Sequence, residues 1–97
     1  MPYAVVVSFA IKPEKIAAFM PLMLANARTS LAQEEGCFQF DVATDPAHIH
    51  EVFLYEIYIN RAAFDLHLAS AHFKSFDAAV TDMIASKDVR TFAQVSQ

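Results

Sequence analysis

Two segments of this chain carry apolar side chains on both faces of a strand, which leaves few folds open to it. Tyr3 to Ile11 (YAVVVSFAI) is rich in β-branched and aromatic residues and is closed by Lys12-Pro13. Its odd positions, Tyr3, Val5, Val7, Phe9 and Ile11, are all large. Its even positions, Ala4, Val6, Ser8 and Ala10, are small, and only Ser8 is polar. Glu51 to Ile59 (EVFLYEIYI) repeats the pattern, with Phe53, Tyr55, Ile57 and Ile59 on one face and Val52, Leu54, Glu56 and Tyr58 on the other. A sheet with one solvated face alternates apolar with polar residues. Neither strand does, so both faces need a cover.

The chain has 97 residues, the length of one domain, 1–97, and 56% of them are hydrophobic. A chain this short buries only about two-thirds of its unfolded surface when alone. A partner subunit or an internal cavity has to take the excess. The net charge of −4 excludes an electrostatic nucleic-acid surface and an anionic-membrane surface, and no local Lys/Arg cluster reverses it. No basic segment leads into a long apolar run, and no stretch approaches 18 apolar residues. Cys37 is the single cysteine, so no intramolecular disulfide forms and the cytoplasm is the expected compartment.

Between these strands, Pro13 and Glu14 read as a helix start. Ile16, Phe19, Met20, Met23, Ala27 and Leu31 then form one amphipathic stripe, with a bend expected at Pro21. Glu34-Glu35-Gly36 stops the helix, Gly36 suiting the left-handed position beyond its end. Cys37 to Thr44 is a second strand, and Asp45-Pro46 opens a polar loop through His50. Asn60 is an N-cap for a helix from Arg61 that sets Ala63, Phe64, His67 and Leu68 on one side. Ser70 starts a second segment with Phe73, Phe76, Val80, Met83 and Ile84 in a stripe, and Val89 to Val95 is a last strand. The order β-α-β-β-α-β, with the second helix broken, predicts a ferredoxin-like α+β domain with a four-stranded antiparallel sheet. Helices cover one face. The other is bare but apolar, so two sheets facing each other in a homodimer, enclosing an apolar pocket, satisfy the pattern.

Glu35-Gly36-Cys37, Phe40-Asp41-Val42, Tyr55-Glu56-x-Tyr58, Ala62-Ala63-Phe64 and His67-x-x-x-x-His72-Phe73 resemble, in their order and spacing, the antibiotic biosynthesis monooxygenase family. The resemblance runs from the first strand to about Met83 and implies a dimeric α+β barrel. The family's chemistry is mixed: cofactor-free quinol and polyketide monooxygenases, haem-degrading enzymes, and the isomerase that breaks down the autoinducer-2 signal. The Glu56, His67, His72 pattern resembles the quinol monooxygenase and autoinducer-2 members. The haem-degrading members carry a tryptophan near the place of His67 and a haem-ligating histidine near Asp77, and this chain has neither.

Among side chains able to do chemistry, His67 is either a core histidine held by a carbonyl or, as the resemblance implies, a base. Glu56 on an apolar strand face needs a partner, either His67 or one of Arg28, Arg61 and Arg90. His72 shares a side with Phe76 and Met83. Five residues set His67 and His72 about 140° apart on a continuous helix. A break near Ser70 could join them, but two histidines without a third ligand make a poor zinc site, so no metal is expected. Tyr58, Phe40, Leu54, Phe76, Met83 and Asn26 complete the expected substrate-binding set beside His72, with Glu56 and His67 as the catalytic pair. His48 and His50 belong to a solvated loop, and Cys37 lacks the positive neighbour a reactive thiol needs. With one glycine in the chain there is no phosphate loop, and no cofactor is expected. The leading expectation is a cofactor-independent monooxygenase acting with O2 on a small quinol- or phenol-like compound. The alternatives are a hydroxy-ketone isomerase and a non-catalytic barrel that binds an apolar small molecule.

Overall fold

The computed structural model describes residues 1–97. The strands are β1 (Tyr3–Ile11), β2 (Cys37–Ala43), β3 (Glu51–Tyr58) and β4 (Ile84–Phe92), and the helices are α1 (Ile16–Gln33), α2 (Arg61–Ala69) and α3 (Ala71–Val80). They form one antiparallel sheet in the order β2-β3-β1-β4, the ferredoxin-like arrangement of an α+β domain. No helix is long and apolar enough to cross a membrane.

The helices cover the face carrying the large odd residues of β1. Val5, Val7, Phe9 and Ile11 pack there with Val52, Leu54 and Tyr58 of β3, Phe19 and Met23 of α1, and Phe76 and Val80 of α3. Phe9, Phe19 and Phe76 form an edge-to-face chain with centroids 5.3 and 6.1 Å apart. On the opposite face, Val6 lies opposite Tyr55 and Ser8 opposite Phe53, while Asp41, Asp88 and Arg90 mark its edges. That face is apolar in the middle and charged at the rim.

Local chemistry sets the boundaries. Asn60 Oδ1 accepts from the Ala63 amide at 2.9 Å and starts α2. Ser70 closes α2 and opens α3: its backbone is extended (ψ 150), its Oγ donates to the His67 carbonyl at 2.7 Å, and the Phe73 amide donates to that Oγ at 3.2 Å. Both caps agree with the sequence.

Three expectations are corrected. The buried stripe of α1 runs through Phe19, Met23, Asn26, Ala27 and Ser30, while Leu31 is 45% exposed. The stripe drifts onto the polar residues because 3.6 residues per turn carries it to position 30. The helix runs unbroken through Pro21, which sits on its exposed side, in keeping with the expectation that the proline does not end it. Gly36 does not adopt a positive φ. It serves a close approach instead, since a Cβ there would lie 2.6 Å from the Ala63 Cβ and 3.1 Å from Ile59 Cγ2. Finally, β4 begins at Ile84, earlier than the expected Val89, and ends at Phe92, because pairing with β1 draws the less β-prone Ser86, Lys87 and Asp88 into the ladder.

Candidate active site

At the end of α1 the stripe of Asn26 and Ser30 continues one turn further to Glu34, the first residue beyond the helix. The Glu34 amide bonds back to the Ser30 carbonyl at 3.0 Å and its own backbone is extended. That conformation turns the carboxylate toward α2 and α3. Glu34 Oε2 lies 2.8 Å from His67 Nδ1 and 2.6 Å from His72 Nε2. The break at Ser70 allows this, because a continuous helix would aim the two imidazoles apart. Ser30 Oγ stands 3.5 Å from His67 Nδ1, and Ser70 Oγ 3.3 Å from His72 Nε2.

His67 is 2% exposed. Its ring is held by Phe73, Tyr58 and Phe40 at centroid distances of 5.1, 5.5 and 5.9 Å, and is stacked on Phe64 at 6.2 Å. Burial lowers its pKa below the ordinary histidine range, against the upward pull of Glu34, so the ring is neutral near pH 7. With Nδ1–H donated to Glu34, the lone pair is on Nε2, which has no hydrogen-bond partner.

His67 lines a cavity of about 60 Å³ between the helices and the sheet. Phe40, Leu54, Phe64, Phe73 and Phe76 supply apolar wall, and Asn26, Glu56 and Lys87 are the other polar lining residues. Asn26 is 5% exposed and its Oδ1 is unpartnered. Glu56 is also buried. Desolvation pushes its carboxyl up to about 7, although the Tyr58 hydroxyl donates to Glu56 Oε1 at 2.6 Å. A largely apolar cavity with a few converging polar groups, one a neutral imidazole and one a carboxyl titrating near neutrality, can bind a small planar molecule and exchange a proton with it.

The structure thus brings together His67, Glu56, Phe40, Leu54, Phe76 and Asn26 from the expected set, inside one subunit and on the helix-covered face. The two-faced strands predict a pocket between paired sheets instead. Three members stand outside the lining. His72 is on the outer side of Glu34, beside a surface depression with Leu22 and Ser75. Tyr58 lies behind Glu56, and Met83 packs on the core edge while its carbonyl accepts from the Lys12 amide at 2.9 Å. Glu56 partners Tyr58, not His67 or an arginine, because alternation puts residues 56 and 58 on the same face.

Glu34, a helix stop by its sequence pattern, is the functional residue that the structure adds. The signal was present: Asn26, Ser30 and Glu34 recur every fourth residue, a polar continuation of the buried stripe. Glu34 is also the third donor that the two histidines lacked. The donor atoms of Glu34, His67 and His72 all lie within 4.8 Å of one another. Elsewhere, Cys37 is buried and its thiol is pushed up to about 12, mainly by burial, so it is inert. An open depression of about 370 Å³ at the β2–β3 turn includes His48 and Glu51, 3.2 Å apart and both well exposed, with no buried polar group converging on it.

Fold and site define a ferredoxin-like α+β protein with a largely apolar cavity, lined in part by a histidine, between its helices and its sheet. The sequence matches the family described as antibiotic biosynthesis monooxygenase over residues 2–79, and the chain belongs to that family. Solved structures agree. A protein from Mycobacterium tuberculosis is similar at 28% identity, with 100% of this chain and 98% of that chain covered and a TM-score of 0.89. A structure described as an antibiotic biosynthesis monooxygenase shares 25% identity over 97% of this chain and 99% of that chain, with a TM-score of 0.87. A conserved protein from Methanosarcina mazei, at 23% identity over 98% and 94% with a TM-score of 0.89, shows the fold alone. No match is found among curated proteins.

Proposed function

We propose that this member of the family is a cofactor-independent monooxygenase that oxidises a small quinol- or phenol-like compound with O2, working as an intracellular homodimer. One observation carries the reading: His67 is anchored at Nδ1 by Glu34, which leaves Nε2 unpartnered in a ring that lines a largely apolar cavity. Ground-state O2 reacts with electron-rich anions. Nε2 takes the proton of a substrate hydroxyl, and the anion then donates electrons to O2 as one C–O bond forms. The O–O bond breaks, and the second oxygen leaves as water with protons from the substrate. A quinol and O2 thus give a hydroxyquinone and water, and the substrate supplies all four electrons. Exclusion of water by the aromatic rings protects the anion. Glu56, titrating near 7, is suited to return a proton to the departing oxygen. Asn26 Oδ1 accepts a second substrate hydroxyl.

The test is O2 uptake with simple quinols, wild type against His67→Ala. Uptake should fall roughly 10²–10⁴-fold, the contribution of a positioned base. Undiminished uptake in the variant removes His67 from the mechanism. Isomerisation of hydroxy-ketones without O2 uptake would instead make the same base an enediol catalyst, and tight apolar binding without turnover would make the cavity a carrier site.

A further inference from the structure

We propose that Glu34, His67 and His72 form a site for a divalent transition-metal ion of the Zn2+ type on the side of His67 away from the cavity, and that its occupation switches the base off. The three donors come from the end of α1, from α2 and from the start of α3, so the site exists only in the folded chain. Two imidazole nitrogens and a carboxylate are the donor set that zinc takes when one coordination position stays open.

A second observation points the same way. Glu34 Oε1 is buried without a hydrogen-bond partner, while Oε2 serves both histidines. A buried carboxylate that is half unsatisfied is costly, and a cation bound by both oxygens would satisfy it. Zinc bonds of about 2.0–2.1 Å set tetrahedral donors about 3.3 Å apart. The 2.8 and 2.6 Å contacts are hydrogen-bond distances, so the carboxylate must draw back by about half an ångström to admit the ion and the two nitrogens must close around it. The movement is one of the Glu34 side chain and leaves the bond from the Glu34 amide to the Ser30 carbonyl in place. His72, 18% exposed at its side chain, opens the site to solvent without passing through the cavity.

The consequence follows from imidazole chemistry. A neutral ring carries one proton on two nitrogens. A metal on Nδ1 of His67 leaves that proton on Nε2, the atom facing the cavity, so the ring can donate there but cannot accept. Occupation would therefore abolish base function without touching the substrate's walls. That consequence rests on the catalytic role proposed for His67, whereas the metal site itself does not.

Calorimetric titration of the full chain with Zn2+ separates the two. One ion should bind per chain, with affinity lowered about tenfold or more by Glu34→Gln and by His72→Gln and unchanged by His48→Gln, which probes the exposed His48–Glu51 pair. Circular dichroism checks that each variant folds. Zn2+ should also move the observable imidazole proton of His67 from Nδ1 to Nε2 in nitrogen NMR. Binding that persists in both triad variants, binding lost in His48→Gln, or no binding at millimolar Zn2+ overturns the site. If Zn2+ binds as expected and quinol-dependent O2 uptake is nonetheless unaffected at saturation, the switch fails. If wild type shows no O2 uptake at all, the functional reading fails while the titration still decides the site.

Discussion

Glu34 Oε2 accepts the Nδ1–H of His67 at 2.8 Å across 33 positions of sequence, and this contact decides which nitrogen of the imidazole is free. Replacing Glu34 with glutamine tests it with almost no change in volume. An amide can donate to Nδ1 as well as accept from it, which allows the tautomer with its proton on Nε2. Quinol-dependent O2 uptake should fall by about 10²–10⁴-fold in kcat, the scale seen when an orienting carboxylate is amidated. KM should change little, because Glu34 is not part of the cavity wall.

Glu56 gives a stability prediction with a definite sign. Its carboxyl titrates at about 7 in the folded chain against 4.5 as the unperturbed value. Between those values the unfolded chain has lost this proton while the folded chain still holds it, so stability falls as pH rises through that window. The shift corresponds to about 3 kcal/mol. His67 acts in the opposite sense below about 6.5, its folded pKa being lowered. The difference between wild type and Glu56→Gln isolates the carboxyl. Chemical denaturation should show Glu56→Gln gaining stability relative to wild type between pH 5 and pH 8, and a constant difference would contradict the assignment.

Gly36 is a packing position. A Cβ 2.6 Å from the Ala63 Cβ forces apart the start of β2 and the start of α2. Gly36→Ala should cost about 1–3 kcal/mol, the usual penalty of overpacking. The same displacement would separate Glu34 from His67, so activity should fall by more than the loss of folded protein explains. Enzyme assays normalised to folded fraction decide between the two effects.

Features set by near neighbours could be read from the sequence. Asn60 and Ser70 cap their helices through amides three residues ahead, and the two-faced pattern of β1 and β3 identifies the central strands. The family resemblance located His67 and Glu56. What escaped depended on distance in the chain. Glu34 meets His67 and His72 only because Gly36 fits beneath Ala63 and because the chain breaks at Ser70. Glu56 turned out to bond the residue two positions along its own strand. The start of β4 is set by pairing with β1, which overrides the weak strand preference of Ser86, Lys87 and Asp88.

The bare sheet face carries the last prediction. Val6, Phe53 and Tyr55 lie in its middle, with Asp41, Asp88 and Arg90 at the edges. An apolar centre with a charged rim is the pattern of a subunit interface, and a second copy presents the same pattern. Sedimentation should therefore give about twice the chain mass of 10.8 kDa. Tyr55→Asp should shift the protein toward monomer, since it sets an unpaired charge at the centre of the contact. Because the cavity lies on the opposite, helix-covered face, His67 and Glu34 should keep their contact in that monomer. The His67 Nδ1 proton seen by NMR should persist. Its loss on dissociation would show that the partner subunit supports the site, and a monomeric wild type would remove the interface altogether.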